Sequence, residues 1–373
     1  MNFFSKYSNQ ITGYLFITPA VLLISLFGIF PVFFGFYMSF HKWKVFKGRF
    51  LGFENYNRIL GDISSFWIFV LGLLCLIFSY WLWSEYKDKL KNKIPLLIFS
   101  ILILFFGLFL INSSWAKMVS LGDDDFLYSI IYTFYYSFLT ITSEVGLGLV
   151  IAFALYQRLK GKQFFQMILL LPYITPAVMG AAVFFIIFGK AENSLLNEFI
   201  GLFGFDPQLW LFDKRPITEV LFGIKINNFL AGPSLALTSA IIYGIWSYTG
   251  YYAIILLAGL SIIPSDLYEA AKAEGASRWQ TFIKITIPLL MPIIFFLLLT
   301  GFINTFQAFN HIYVMQTSSA GDTMDVVTVE IFDHFWDRVK FGYAAAEGVV
   351  LFILLNVLAI SQYIFFRKRL NYD

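Results

Sequence analysis

The stretch Ile263–Pro288 reads IPSDLYEAAKAEGASRWQTFIKITIP and lies between two long apolar segments. Four of its residues recur at helical spacing, namely Leu267, Ala270, Ala271 and Glu274. Gly275 then permits a tight turn. The pattern predicts a short helix, capped by Ser265 or Asp266, that ends at this glycine. Such a helix suits docking into a groove on a partner protein or lying flat on lipid headgroups, and the pattern leaves both interpretations open.

The composition is that of a polytopic membrane protein. Of the 373 residues, 59% are hydrophobic and 13% are charged, and the mean hydropathy is +0.75, whereas soluble domains carry roughly 25% charged residues. These values exclude a soluble enzyme, a disordered chain and a coiled coil. The net charge of +3 gives no reason to expect a nucleic-acid partner. Cys75 is the only cysteine and the three histidines are far apart in sequence, so we predict no disulfide and no metal site.

Apolar runs long enough to cross a membrane set the number of spans. A helix needs about 20 apolar residues to cross about 30 Å of hydrocarbon. Eight segments qualify: Tyr14–Phe40, Ser65–Trp83, Ile94–Ile111, Phe126–Tyr156, Phe164–Phe188, Leu235–Ile262, Leu289–Phe309 and Tyr343–Phe366. Eight spans place both termini on one side of the bilayer.

Lysine and arginine in short loops predict which side that is. Four lysines lie between the second and third spans, and Arg367-Lys368-Arg369 follows the last span. Positive residues favour the cytoplasmic side, so we predict a multi-pass protein of the cytoplasmic (inner) cell membrane with both termini inside. The five basic residues between Lys42 and Arg58 weigh against this orientation.

The stretch quoted above also resembles a known motif. Glu269-Ala270-Ala271, three residues, Gly275, nine residues and then Ile285-Thr286-Ile287-Pro288 resemble the EAA loop of permease subunits in binding-protein-dependent ABC importers. Ile287 stands where that family usually has leucine. Six flanking elements resemble the carbohydrate-importer branch, in particular its maltose-permease-like first subunit: Gly52–Tyr56, Leu171–Tyr173, Trp246–Tyr251, Ala258–Leu260, Phe306–Phe309 and Gly342–Ala346.

The resemblance implies an all-α membrane protein with the type I ABC importer transmembrane fold. It implies a second homologous permease subunit, two ABC ATPase subunits, an extracytoplasmic solute-binding protein and a carbohydrate substrate. The chain lacks the phosphate-binding pattern GxxxxGK[ST]. We therefore predict no catalytic residue and no cofactor here, with ATP and magnesium bound by the partner ATPase.

The resemblance also suggests how the chain is divided. Residues 1–60 would form the first span and first outer segment, and residues 123–373 the core permease domain with the EAA loop at 263–288. Between them, residues 61–122 contain two apolar spans that family members usually lack. This inserted membrane hairpin could pack at the periphery or serve as a docking site for an accessory subunit.

The resemblance assigns roles to particular residues. The predicted ATPase-coupling residues are Leu267, Glu269, Ala270, Ala271 and Gly275. The predicted substrate-pathway residues are Tyr173, Tyr248, Tyr251, Asn304 and Gln307, and we expect Tyr173, Tyr251 and Asn304 to converge on one cavity. Tyrosines and amides in spans also serve as packing or as hydrogen bonds between helices, which stays open here. Glu144, an acid inside the fourth span, is either a functional polar site or a structural partner of a neighbouring helix.

Two other classes of function fit the membrane composition. An ion-coupled secondary transporter would use broken helices and intramembrane ligands such as Glu144. A non-transport membrane assembly protein would need neither broken helices nor intramembrane ligands. The secondary transporter gives Ile263–Pro288 no role, and neighbouring genes for an ATPase and a lipoprotein would distinguish the importer from an assembly protein, so the importer permease is the preferred interpretation.

Overall fold

A computed structural model describes residues 3–88, 93–157, 160–226 and 231–370. Its helices are α1 Phe3–Ile24, α2 Phe30–Ser39, α3 Glu54–Leu60, α4 Ile63–Asp88, α5 Lys93–Leu121, α6 Asp124–Tyr156, α7 Lys162–Ile174, α8 Ala177–Ile187, α9 Leu195–Gly201, α10 Ile217–Phe222, α11 Leu235–Ile262, α12 Ser265–Ala273, α13 Arg278–Thr281, α14 Ile287–Phe306, α15 Asn310–Met315, α16 Val327–Trp336 and α17 Phe341–Leu370. The two strands, β1 His41–Trp43 and β2 Lys47–Phe50, form an antiparallel hairpin.

The helices confirm the predicted number of membrane spans. In the described ranges, seven helices are long and apolar enough to cross a membrane, or eight if the bent pair α7 and α8 counts as one span. The predicted span Phe164–Phe188 is broken, since α7 and α8 meet at an angle of 92°. Pro176 explains the break, because a residue before proline avoids the helical region and Thr175 is extended, with φ −66° and ψ 129°. The inner turn predicted between the second and third spans includes residues 89–92, which lie outside the described ranges.

Two other prolines are accommodated without a sharp bend. A π-helical turn, Ser25–Ile29, comes just before Pro31, and a second, Phe282–Thr286, comes just before Pro288. Proline cannot donate a backbone hydrogen bond and its ring crowds the carbonyl four residues earlier. The wider π turn relieves that crowding, so the helical segments continue past both prolines.

The first compact unit comprises Met1–Leu127 and Ile331–Phe352. Within it, α4 and α5 form the inserted hairpin. The Ser79 Oγ donates to the Ser100 carbonyl at 2.8 Å, and the Ser100 Oγ donates to the Ser79 carbonyl at 2.9 Å. Gly107 lets the helices approach closely, because a Cβ there would lie 2.9 Å from the Gly72 carbonyl oxygen. Small residues and paired hydroxyls are how helices associate in lipid.

Asn55 organises the segment after the first span in the same unit. Its Nδ2 donates to the Ser39 carbonyl at 2.7 Å and to the His41 carbonyl at 3.3 Å, so it joins the end of α2 to β1. Asn55 is 3% exposed. The element Gly52–Tyr56 therefore has a structural role that its resemblance alone did not reveal.

The second compact unit comprises Tyr128–Glu330 and Ile353–Asp373. Helix α11 lies at its centre and packs against α7 and α14. Two clusters of buried apolar side chains surround α11, one containing Tyr136, Phe188 and Tyr243, the other Tyr252, Leu256 and Leu290. All the predicted site residues, from Glu144 to Gln307, lie in this second unit.

Candidate functional site

Helix α12 presents the predicted coupling residues on an exposed face. Leu267, Glu269 and Ala270 are exposed, whereas Ala271 is buried. The neighbouring Tyr268 hydroxyl lies 3.2 Å from the Thr286 Oγ1 and fixes the helix to the second unit. Glu269 has no ion-pair partner among the described residues. Its charge is therefore free to pair with a basic residue of another protein.

The turn after α12 is built by Gly275 and Ser277. Gly275 adopts φ +78°, in the left-handed region that favours glycine, and the Ala276 N–H donates to the Ala271 carbonyl at 2.9 Å. The Ser277 Oγ accepts from the Gln280 N–H and begins α13 with a capping box. We expected the capping side chain at Ser265 or Asp266, and that was wrong, since α12 begins after Pro264 without a side-chain cap.

Three of the predicted pathway residues form one aromatic cluster. The Tyr173 and Tyr251 rings stack with centroids 4.6 Å apart at 16°, and Tyr248 meets Tyr173 edge-on at 5.5 Å. Tyr173 is 44% exposed. Because Tyr251 covers one face of the Tyr173 ring, a sugar can stack only on the other face. Tyr251 and Tyr248 therefore hold Tyr173 in place rather than forming a slot with it.

The two amides do not join this cluster through hydrogen bonds. Asn304 and Gln307 have exposed side chains at the end of α14. In the part of the chain that the structure describes, neither amide is hydrogen-bonded to the three tyrosines. The convergence of Asn304 with Tyr173 and Tyr251 on one cavity thus stays a prediction.

Glu144 is buried inside the second unit beside a tyrosine. It is 1% exposed on α6, its carboxyl group lies next to the Tyr252 hydroxyl of α11, and its Oε1 has no hydrogen-bond partner in the described part of the chain. Gly301 of α14 makes room for that hydroxyl, since a side chain there would overlap it. The contact with Tyr252 fits a structural partner between helices, whereas the unpartnered buried oxygen fits a functional polar site, so both interpretations of Glu144 stay open.

We expect Glu144→Leu to destabilise the protein and Glu144→Gln to be tolerated. Leucine removes the polar group of α6 beside the buried Tyr252 hydroxyl and leaves that hydroxyl only the Leu297 carbonyl at 3.5 Å, which costs about 1–3 kcal/mol, whereas the glutamine carbonyl still accepts. Thermal unfolding in detergent measures the difference. In a Tyr252→Phe background, which lacks the hydroxyl, Glu144→Leu should lower the thermal stability by less. An equal loss of stability in both backgrounds would show that the interaction with the Tyr252 hydroxyl is not the cause.

Sequence reasoning missed a buried polar network in the first unit. The His334 Nδ1 lies 2.9 Å from the Glu347 Oε1, the Arg338 Nη1 lies 2.9 Å from the His334 Nε2, and the Tyr343 hydroxyl donates to the Asp123 Oδ2 at 2.6 Å. A guanidinium only donates, so the His334 Nε2 accepts from Arg338 and the neutral ring carries its proton on Nδ1, the nitrogen nearer Glu347. Burial, assisted by the Arg338 charge, lowers the pKa of His334 to about 4.

The same network bears on metal binding. Asp123, His334 and Glu347 bring ligand atoms within 4.8 Å of one another. The Arg338 guanidinium already occupies the accepting ring nitrogen of His334, and its charge disfavours a second cation. The signal that could have revealed the network is Glu347, an acid inside an apolar span.

Comparison with known proteins shows which family the chain resembles. A family model described as the inner membrane component of binding-protein-dependent transport systems matches residues 144–372. The chain belongs to this family. The trehalose/maltose transport system permease protein MalF of Thermococcus litoralis is 26% identical over 352 residues, covering 94% of this chain and 92% of that protein. The arabinooligosaccharides transport system permease protein AraP of Bacillus subtilis is 28% identical over 247 residues, covering 66% and 73%.

A solved structure shares the fold. The crystal structure of a bacterial alginate ABC transporter in complex with alginate pentasaccharide-bound periplasmic protein matches with a TM-score of 0.66 at 17% identity, covering 99% of this chain and 98% of that one. The predicted type I importer fold is confirmed. As a permease of this family, the chain is the membrane-spanning component of an importer, and the secondary-transporter and assembly-protein interpretations find no support.

Proposed function

We propose that this permease forms half of the translocation pathway for a carbohydrate in an ATP-driven importer. The substrate would be a sugar, an oligosaccharide or a sugar derivative delivered by an extracytoplasmic solute-binding protein. The names of the similar permeases support this substrate class, since they refer to trehalose, maltose and arabinooligosaccharides. The exposed face of Tyr173 supports it physically, because aromatic rings stack on the apolar faces of sugars.

The observation that carries the ATP-driven mechanism is the exposed, unpaired Glu269 on α12. Helix α12 lies between the ends of α11 and α14, and the contact of Tyr268 with Thr286 fixes it there. A partner that moves α12 can therefore move both spanning helices. We infer that each of two ATPases docks on such a helix, one in this chain and one in a second homologous permease. Both termini and α12 would lie on the cytoplasmic side.

Reconstitution with its partners tests the proposed function. The chain is co-expressed with a candidate second permease and ATPase, purified as a complex and placed in liposomes with a solute-binding protein outside. Uptake of labelled sugar should require ATP and should persist in the presence of a protonophore. Failure of the ATPase to co-purify, or uptake that stops with the protonophore and ignores ATP, would contradict an ATP-driven importer.

We expect Tyr173→Ala to slow sugar transport by about tenfold or more at saturating binding protein. Losing a stacking face or a hydrogen bond to a bound sugar costs about 1–3 kcal/mol, and 1.4 kcal/mol is a factor of ten. Tyr251→Ala should have a smaller effect, because Tyr251 acts by supporting the Tyr173 ring. Tyr173→Phe should retain most of the rate if stacking dominates.

Tyr363→Ala is the matched control for these variants. It removes another exposed tyrosine from the second unit, on α17, away from the aromatic cluster. The measurement is the uptake rate together with the range of sugars transported. Wild-type rate and range in both Tyr173→Ala and Tyr251→Ala would show that the cluster is packing.

A further inference from the structure

A groove of about 950 Å³ lies in the second unit between α6 and the segment Tyr268–Thr286. It is open at the end of the spans where α12 lies. Its two walls differ in chemistry: one is formed by apolar side chains of a membrane-spanning helix, and the other carries two cations. A ligand that fills the groove must match both walls.

The apolar wall is part of the exposed surface of α6, a helix apolar enough to span a membrane. Leu149, Val150 and Phe153 line it, and Val150 is 67% exposed. The Phe153 ring meets the Phe282 ring edge-on at 5.6 Å, and Phe282 stacks with Trp279 at 5.8 Å. This surface suits a hydrocarbon chain lying along the helix, with aromatic rings at the level of the interface.

The basic wall is formed by Lys272 and Arg278. Among the described residues that line the groove, none is acidic. Neither cation has an ion-pair partner in the described part of the chain. The Ser277 and Thr281 hydroxyls lie on the same wall. Together these groups favour an anion with several oxygen acceptors, such as a phosphate diester.

The groove and the coupling surface use different residues of α12. Tyr268 and Lys272 are one turn apart and both line the groove. Glu269 and Ala270 are exposed and are not among the lining residues. A ligand in the groove and the ATPase would therefore contact different side chains of α12.

We propose that this groove binds an anionic phospholipid, with its phosphate between Lys272 and Arg278 and an acyl chain along Leu149, Val150 and Phe153. Basic pockets between spanning helices recognise such headgroups. A carbohydrate lacks the hydrocarbon part and a free nucleotide lacks an acyl chain, so neither matches the apolar wall. The lipid would tie the coupling segment to the bilayer, independently of sugar or ATP.

Native mass spectrometry of the full-length protein tests the proposal. The purified chain is titrated with phosphatidylglycerol or phosphatidylcholine of the same acyl length. We expect one phosphatidylglycerol to be retained preferentially, and Lys272→Gln/Arg278→Gln to weaken its binding by about tenfold or more. Equal retention of the two lipids by the unaltered chain would overturn the proposal.

Lys160→Gln/Lys284→Gln is the charge-matched control, since neither lysine lines the groove. It should bind phosphatidylglycerol as the unaltered chain does, and an equal loss would show that only net charge matters. Phe153→Ser should also weaken binding. Displacement of the lipid by millimolar inorganic phosphate or glycerol phosphate would indicate a simple anion site and contradict a lipid site. If assembly with the ATPase displaced the lipid, the groove would belong to the ATPase interface, and this result would also contradict a lipid site.

Discussion

Gly250→Ala should prevent the second unit from packing correctly. A Cβ at this position would lie 2.6 Å from the Leu169 carbonyl carbon, and the carbonyl oxygen would be closer still. Both atoms belong to the backbone of α7, so no rotamer change relieves the overlap, and α7 and α11 must move apart. Overpacking at a rigid contact lowers the free energy of unfolding by about 3 kcal/mol. We expect a loss at least this large, because a whole helix is displaced.

The separation of α7 from α11 would also reach the aromatic cluster. Tyr173 lies on α7 and Tyr251 follows Gly250 on α11, so their stacking depends on the close approach that the glycine permits. The space left by the missing side chain of Gly250 is filled by the Leu169 carbonyl.

Gly146→Ala is the matched control for this variant. Gly146 is also a glycine inside a spanning helix, but no other element of the described chain comes within 4 Å of its Cβ position. Alanine there should raise stability by about 1 kcal/mol through helix propensity. Thermal unfolding and gel filtration in detergent compare the two variants. A Gly250→Ala protein that is monodisperse and as stable as Gly146→Ala would refute the proposed close contact.

Hydropathy predicted most of this fold because the hydrocarbon thickness fixes the length of every span. It did not predict the 92° break at Thr175, because a proline permits a bend in lipid without requiring one. The contact of His334 with Glu347 and that of Tyr343 with Asp123 follow from tertiary packing and leave no periodic pattern. The EAA spacing, by contrast, is local, so the sequence alone could predict a short helix carrying Glu269 and a turn at Gly275.

Glu269→Lys and Gly275→Trp should each abolish coupled transport while leaving the protein inserted and folded. Glu269 is exposed and unpaired in the described part of the chain, so reversing its charge disturbs no contact within this protein. A partner's basic residue would lose its counter-charge, at a cost of about 2–5 kcal/mol for a desolvated pair. We expect sugar uptake to fall by at least tenfold.

Gly275→Trp acts through shape. No atom of the described chain lies within 4 Å of the Cβ position at Gly275, so the indole would project outward to where we propose that the ATPase docks. The substitution also strains a backbone held at φ +78°, by about 1–2 kcal/mol. Gly223→Trp controls for that strain, because Gly223 has φ +67° and equally open surroundings but lies outside the EAA loop.

The decisive measurement is ATP hydrolysis by the assembled importer in vesicles, with and without loaded binding protein. Both coupling variants should lose stimulation and uptake together, whereas Gly223→Trp should keep both. Glu192→Lys makes the same charge change on an exposed residue of another loop and should also behave as the unaltered chain. Normal stimulation in both Glu269→Lys and Gly275→Trp would exclude α12 as the coupling element. Gly275 and Gly223 share a backbone conformation, but we propose an ATPase contact only at Gly275. If Gly223→Trp also lost stimulation and uptake, the effect of Gly275→Trp would be assigned to backbone strain.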